Sequence, residues 1–107
     1  MALAADGKVY AFGNNQIGAL GDSTTIAKNT PVLVLKGAYS GATYLGDHPS
    51  NPITHIFSGI YHSHAIAADG ILYSFGNNTN GQMGDGSTTN RLVPIKTLKG
   101  AYPGTTF

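Results

Sequence analysis

The sequence predicts an all-β chain of about two antiparallel four-stranded sheets, the first incomplete. Three observations predict it. Gly 15 and Pro 5, clustered with Asn and Thr, mark many turns in 107 residues. No long window carries apolar residues at i, i+3, i+4 and i+7, as an amphipathic helix would. The chain also repeats itself: slid by 63 positions, "ALAADGKVYAFGNN" (2–15) falls on "AIAADGILYSFGNN" (65–78), and Pro31 falls on Pro94 without a gap. About half of the overlapping positions are identical. A fixed period of this size signals repeats, each one supersecondary unit that needs its neighbours.

Each repeat opens on a hairpin. Asp6-Gly7 and Asp69-Gly70 join two short apolar runs, and Asp-Gly predicts a type I′ turn with both residues at positive φ. The phrases "GNNQIGALGDSTTIAKN" and "GNNTNGQMGDGSTTN" follow. They are read as compact turns in which Gly and Asn take left-handed positions. A phosphate-binding loop would need Lys-Ser/Thr after its glycines and a helix beyond, yet Gln82-Met83 follows Gly81. A dinucleotide fingerprint fails for the same reason. The next strands are placed after the prolines, at "VLVLK" (32–36) and "IKTLK" (95–99), since proline suits a strand start or edge. The segment 37–52 reads as a long loop, and "ITHIFSG" (53–59) as the strand before "HSHAIAA".

Strand faces refine the architecture. Tyr10 and Phe12 share one face, with Val9, Ala11 and Gly13 on the other; Tyr73 and Phe75 likewise oppose Leu72, Ser74 and Gly76. Bulky and shallow apolar faces on one strand suit sheets stacked on both sides. The aromatic side chains of one sheet would fill the shallow face of the next, as in a β-propeller.

These residues carry a family resemblance. "HSHAIAADGILYSFGNNTNGQMGDGSTTNRLVP" resembles the regulator of chromosome condensation repeat: Gly-x-x-His-Ser, an apolar strand, Asp-Gly, a strand ending in aromatic-Gly-x-Asn, then Gly-Gln-Leu-Gly-x-Gly. Gly59, His62 and Ser63 match its start, and Gln82-Met83-Gly84 its core, while His64 stands where the motif is apolar. The resemblance implies a propeller, commonly seven-bladed, used as a protein-binding scaffold. The family's founding member is a nucleotide exchange factor for a small GTPase that docks on nucleosomes, and a bacterial relative inhibits β-lactamases. Residues 1–52 are then a partial blade of three strands plus a long loop, and 53–107 a complete blade plus the start of the next loop. Further blades of the same protein, or self-assembly, are expected to complete the ring.

Chemistry is sparse. Charged residues are 10% of the chain, against roughly 25% in ordinary domains, and the net charge is +1. Nothing in that balance favours nucleic acid or an anionic membrane. No apolar run approaches the roughly 18 residues of a spanning helix. With no cysteine, disulfide and thiol chemistry are excluded. His62 and His64 share a strand face, but only Asp47 and Asp69 offer carboxylates, so no metal is assigned; His62 reads as a hydrogen-bonded core residue of the motif. "DGSTTN" lacks the alternating ligands and closing glutamate of a calcium loop. No Ser–His–Asp or paired-carboxylate set stands out, so no catalysis and no cofactor are expected.

Asp6, Gly7, Gly13, Gly18, Gly21, Gly59, His62, Asp69, Gly70, Gly76, Gly81 and Gly84 are assigned to the structural repeat motif. Partner contacts are sought where the copies differ, in loops, or where tyrosine stands in the long loop: Ile17, Lys28, Tyr39, Tyr44, His64, Asn80, Gln82 and Arg91, with Tyr102 beside them. The partner is expected to be another protein. Regulation of an enzyme, as exchange factor or inhibitor, and glycan or cell-surface binding are the rival readings.

Overall fold

A computed structural model describes residues 1–59 and 61–97. Tyr102, the recurrence of the long loop at 98–107 and the end of "IKTLK" lie outside the described residues. The described residues form two antiparallel sheets. The first has three strands in the order β1 (Ala2–Leu3), β2 (Val9–Gly13), β3 (Lys28–Leu33). The second has four: β4 (Ile53–Ser58), β5 (His62–Ala67), β6 (Leu72–Gly76), β7 (Arg91–Lys96).

Both hairpin turns fall where Asp-Gly places them, but the turn type differs. Ala4 N–H donates to the Lys8 carbonyl and Gly7 N–H to the Ala4 carbonyl; the second hairpin repeats this with Ala67, Ile71 and Gly70. These are three-residue loops, a tight turn closed by a left-handed glycine. Only the glycines have positive φ, +87° at Gly7 and +84° at Gly70. The aspartates stay at negative φ because their carboxylates hold the turn from outside. Each accepts the N–H two residues on, from Lys8 and Ile71.

The edge strands begin earlier than the prolines suggest. β3 and β7 run through Pro31 and Pro94 instead of starting after them. The reason is a bulge. Between the pairs Ala11↔Val32 and Gly13↔Lys28, three residues including Pro31 stand opposite Phe12 alone; Pro94 occupies the same place opposite Phe75. No ladder N–H is required there, so proline fits within the strand.

The core lies between the sheets. Val9, Ala11 and Val34 of the first unit face Ala65, Ala67, Tyr73 and Phe75 of the second, all buried. The ring of Phe75 and the side chain of Val34 close around Gly21, where an added Cβ would come within 2.9 Å of the phenyl ring. The bulky-on-shallow stacking read from the strand faces is therefore the packing observed. Ile53, Leu45 and Tyr39 extend the core toward the long loop.

Backbone bonds also cross between the units. Ser23 N–H donates to Leu92 carbonyl at 2.9 Å, Ala38 N–H to Pro94 carbonyl at 2.9 Å, and Ile53 N–H to Gly7 carbonyl at 3.2 Å.

Candidate interaction surface

The two Gly- and Asn-rich loops are organised from inside by one buried amide each. The two protons on Asn78 Nδ2 are shared among Asp85 Oδ1, Ser87 carbonyl, Ser87 Oγ and Thr89 carbonyl, all at 3.0–3.2 Å from the nitrogen. Asn78 Oδ1 accepts from Met83 N–H at 3.1 Å. Asn15 makes the same set to Asp22, Thr24, Ile26 and Leu20. Asparagines therefore do not take the left-handed positions expected of them. Ser23 (φ +67°) is the one non-glycine with positive φ among the described residues, while Gly13, Gly18, Gly21, Gly76, Gly81, Gly84 and Gly86 supply the rest of this loop backbone. Asn suits the place through its amide, which can both donate and accept in a buried loop.

Lys28 and Arg91 are tied to the same network. Lys28 Nζ lies 3.0 Å from Asp22 Oδ2, and Arg91 Nε lies 3.0 Å from Asp85 Oδ2. Burial pushes the Asp85 carboxyl up, but hydrogen bonds from Ser87, Asn78 and Arg91 outweigh it and bring it down to about 2. Burial likewise raises Asp22, and bonds from Thr24, Lys28 and Asn15 leave it below the ordinary carboxylate value. These two aspartates anchor ion pairs as well as shaping turns.

The other sequence-assigned contacts are scattered. Tyr39 is 1% exposed, so its assignment as a contact residue is corrected. It packs edge-on against Tyr73 with centroids 5.5 Å apart, and its hydroxyl donates to Asn51 carbonyl, pinning the long loop onto the second sheet. Tyr44 and Ile17 are half-buried. Asn80 is exposed and its N–H donates to Gln82 Oε1 at 2.9 Å. His62 is half-buried rather than core, with its ring over Gly59. The buried hydrogen-bonding residue of that strand is Ser63, because side chains alternate and its face is the one turned to the first sheet. His64 Nδ1 lies 2.8 Å from Ser74 Oγ.

Large apolar side chains are also left open. Phe12 is 50% exposed, Phe57 54% and Ile26 66%, with Tyr61 also exposed. A cleft of ≈ 190 Å³ runs between the sheets at this end, lined by Met1, Phe12, Asn14, Leu20, Ser58 and Gly59 among others. Phe57 and Tyr61 flank the Ser58–Gly59 wall in the chain. Phe57 was not singled out from sequence; its signal is an aromatic alone among Thr, His and Ser in "ITHIFS". Among the described residues no helix is long and apolar enough to cross a membrane.

Two stacked antiparallel sheets, related by a 63-residue repeat and joined face to face, define adjacent blades of a repeat-built β-propeller. The sequence model of the regulator of chromosome condensation (RCC1) repeat matches residues 6–66 and 69–101, and a second model of that repeat matches 53–82. The chain belongs to this family. It is 36% identical over 95 residues to human E3 ubiquitin-protein ligase HERC2, covering 89% of this chain and 2% of that protein. It is 38% identical over 88 residues to the Protein RCC2 homolog of Xenopus laevis, covering 81% of this chain and 15% of that one. The crystal structure of human WBSCR16 shares the fold, with a TM-score of 0.72 at 22% identity over 89% of this chain and 23% of its own. The chain thus spans a small part of the relatives it matches.

Proposed function

We propose that this chain is a non-catalytic protein-interaction scaffold, a section of an RCC1-type propeller whose rigid blades present an apolar surface to another protein. The observation that supports it best is Phe12, exposed on the lining of an inter-sheet cleft, with exposed Tyr61 two residues beyond the Gly59 wall of that cleft. Aromatic side chains fixed on a rigid sheet carry binding energy at low entropic cost. The loops beside them are cross-linked by Asn15 and Asn78, so little ordering remains to be done on association. Lys28 lines a shallow hollow beside Phe12, and Arg91, Asn80, Gln82, Tyr44, Ile17 and His64 are further candidate contacts, scattered over other loops and strands.

Affinity capture with the wild-type chain and with Phe12→Ser and Tyr61→Ser tests the reading. A partner retained by wild type and by a Ser50→Ala control at an exposed long-loop position, and lost by the aromatic variants at unchanged melting temperature, is the expected result. Equal retention by all variants would sink it. Regulation of an enzyme is the second reading, since relatives include a ubiquitin-protein ligase; a nucleotide-release assay with small GTPases tests its exchange-factor form.

A further inference from the structure

The two blades differ in the face that each turns toward its C-terminal side. In the first, that face is apolar: Met1, Ala11, Leu20 and Val34. The residues 63 positions on are His64, Ser74, Met83 and Thr97. Three of the four have become polar, and they are wired together. Thr97 Oγ1 donates to the Met83 carbonyl at 2.9 Å. Thr97 then has no second proton to give, so a hydrogen bond across its 3.4 Å contact with Ser74 Oγ would have the serine as donor. The one proton of Ser74 is then committed as well. In that arrangement its 2.8 Å bond with His64 is supplied by the ring, as Nδ1–H. The relay runs one way and leaves Nε2 of His64 bare.

The surroundings offer that nitrogen no counter-charge. On its own strand, His62 stands two residues away with ring centroids 5.3 Å apart, and Ile66 stands on the other side. From β4, Phe57 lies directly opposite, and His55 shares its face. From β6 come Ser74 and Leu72, and from β7 Ile95; Lys96 pairs with Tyr73 on the opposite face. The nearby aspartates are engaged elsewhere, Asp69 with Asn51 and Asp85 with Arg91. Among the described residues, a proton added here is met by two more imidazoles and no carboxylate on the strands around it.

We propose that His64, held by Ser74 and Thr97 as the Nδ1–H tautomer, is an acid switch on the second blade: protonation at Nε2 charges a half-buried face and loosens the packing of that sheet. Burial, and next the His62 ring, hold His64 below the 6.5 of a free imidazole. The neutral form is thus favoured in the folded state. Stability is full above pH 6.5 and falls as pH drops through that value toward the folded-state titration.

The test uses the 107-residue chain and a face swap that the repeat itself supplies: His64→Met, Ser74→Ala and Thr97→Val, each the residue found at the matching place in the first blade. Histidine nitrogen NMR of the wild type should show Nδ1–H at neutral pH and a titration below that of free imidazole. Thermal melts between about pH 7.5 and about pH 5 should show a downward shift in wild type that His64→Met reduces, and Ser74→Ala should move the ring toward the other tautomer. An Nε2–H tautomer in wild type, a midpoint at or above the free value, or an undiminished shift in His64→Met would each overturn the proposal. The NMR measurements need no variant, so a poorly folding substitution does not shield the idea.

Discussion

The hydroxyl of Ser63, on β5, donates to the carbonyl of Ala19 in the first blade's loop at 2.8 Å, and both residues are buried. This bond ties the second sheet to the loop between β2 and β3 of the first. The Ala19 carbonyl cannot be removed by mutation, so deleting the hydroxyl leaves a buried acceptor without its partner. Ser63→Ala is expected to cost about 1–2 kcal/mol, whereas Ser58→Ala, at an exposed position, should change little. Urea midpoints of the two variants check this.

Asn78 and Asn15 should be the most sensitive loop positions. Each uses its amide nitrogen on a carboxylate, a hydroxyl and two carbonyls, and its oxygen on a backbone N–H. Asn78→Ala strands several buried groups at once, for an expected loss of about 2–4 kcal/mol. Asn77→Ala removes one exposed bond to Thr79 N–H and should cost far less. Denaturation of the pair, side by side, would show whether the neighbouring asparagines differ as described.

These two asparagines show where sequence reading runs out. The repeat, the hairpins and the stacking faces were legible because they rest on local signals: a 63-residue self-match, Asp-Gly, and alternation along "VYAFG" and "LYSFG". Asn78 takes its role through carbonyls 9 and 11 residues away, a geometry that only the folded loop creates. In sequence it is indistinguishable from Asn77 beside it. Tyr39 is similar: a loop tyrosine suits an interface, and only the meeting with Tyr73 shows that it is core. Strand starts were missed at Pro31 and Pro94 because the bulge that admits proline depends on the partner strand.

Ser23 holds a left-handed backbone (φ +67°) where the second copy has Gly86 (φ +80°). A non-glycine residue carries a steric cost there of about 1 kcal/mol. The conformation persists because Ser23 N–H reaches the Leu92 carbonyl of the neighbouring blade. Ser23→Gly keeps that N–H and relieves the strain, against a small entropic loss. A modest gain of about 0.5 kcal/mol is expected. A lower melting temperature for this variant would show that the serine side chain, and not the backbone, matters.

Acid should act on the Asp85–Arg91 pair. The Asp85 carboxyl titrates at about 2 in the fold against an ordinary 3.8. A depressed carboxylate contributes stability above its unfolded value and loses it as pH falls through the folded one. The window is therefore from 3.8 down to about 2. Asp85→Asn should be less stable than wild type at neutral pH, and the gap should close across that window. Urea midpoints at stepped pH measure it, and a gap of constant size would contradict the assignment.

Gly7 and Gly70 allow the turn and the blade junction to be weighed separately. They occupy matching places in matching turns, with φ of +87° and +84°. Replacing either by alanine therefore imposes the same backbone strain, about 1 kcal/mol. Their surroundings differ. A Cβ on Gly70 meets nothing within 4 Å, while one on Gly7 would fall 2.3 Å from Pro52 Cβ and 3.0 Å from its Cα. Pro52 leads directly into β4, whose first N–H, from Ile53, bonds to the Gly7 carbonyl. Gly7→Ala must thus push apart the first hairpin and the strand that opens the second blade. Gly70→Ala should cost about 1 kcal/mol, and Gly7→Ala an additional 1–3, roughly the cost of overpacking a close contact. Because the φ strain is common to both, the difference between their urea midpoints reports the junction alone. Equal losses would mean that the chain from Pro52 shifts freely, and that the hairpin does not brace the second blade.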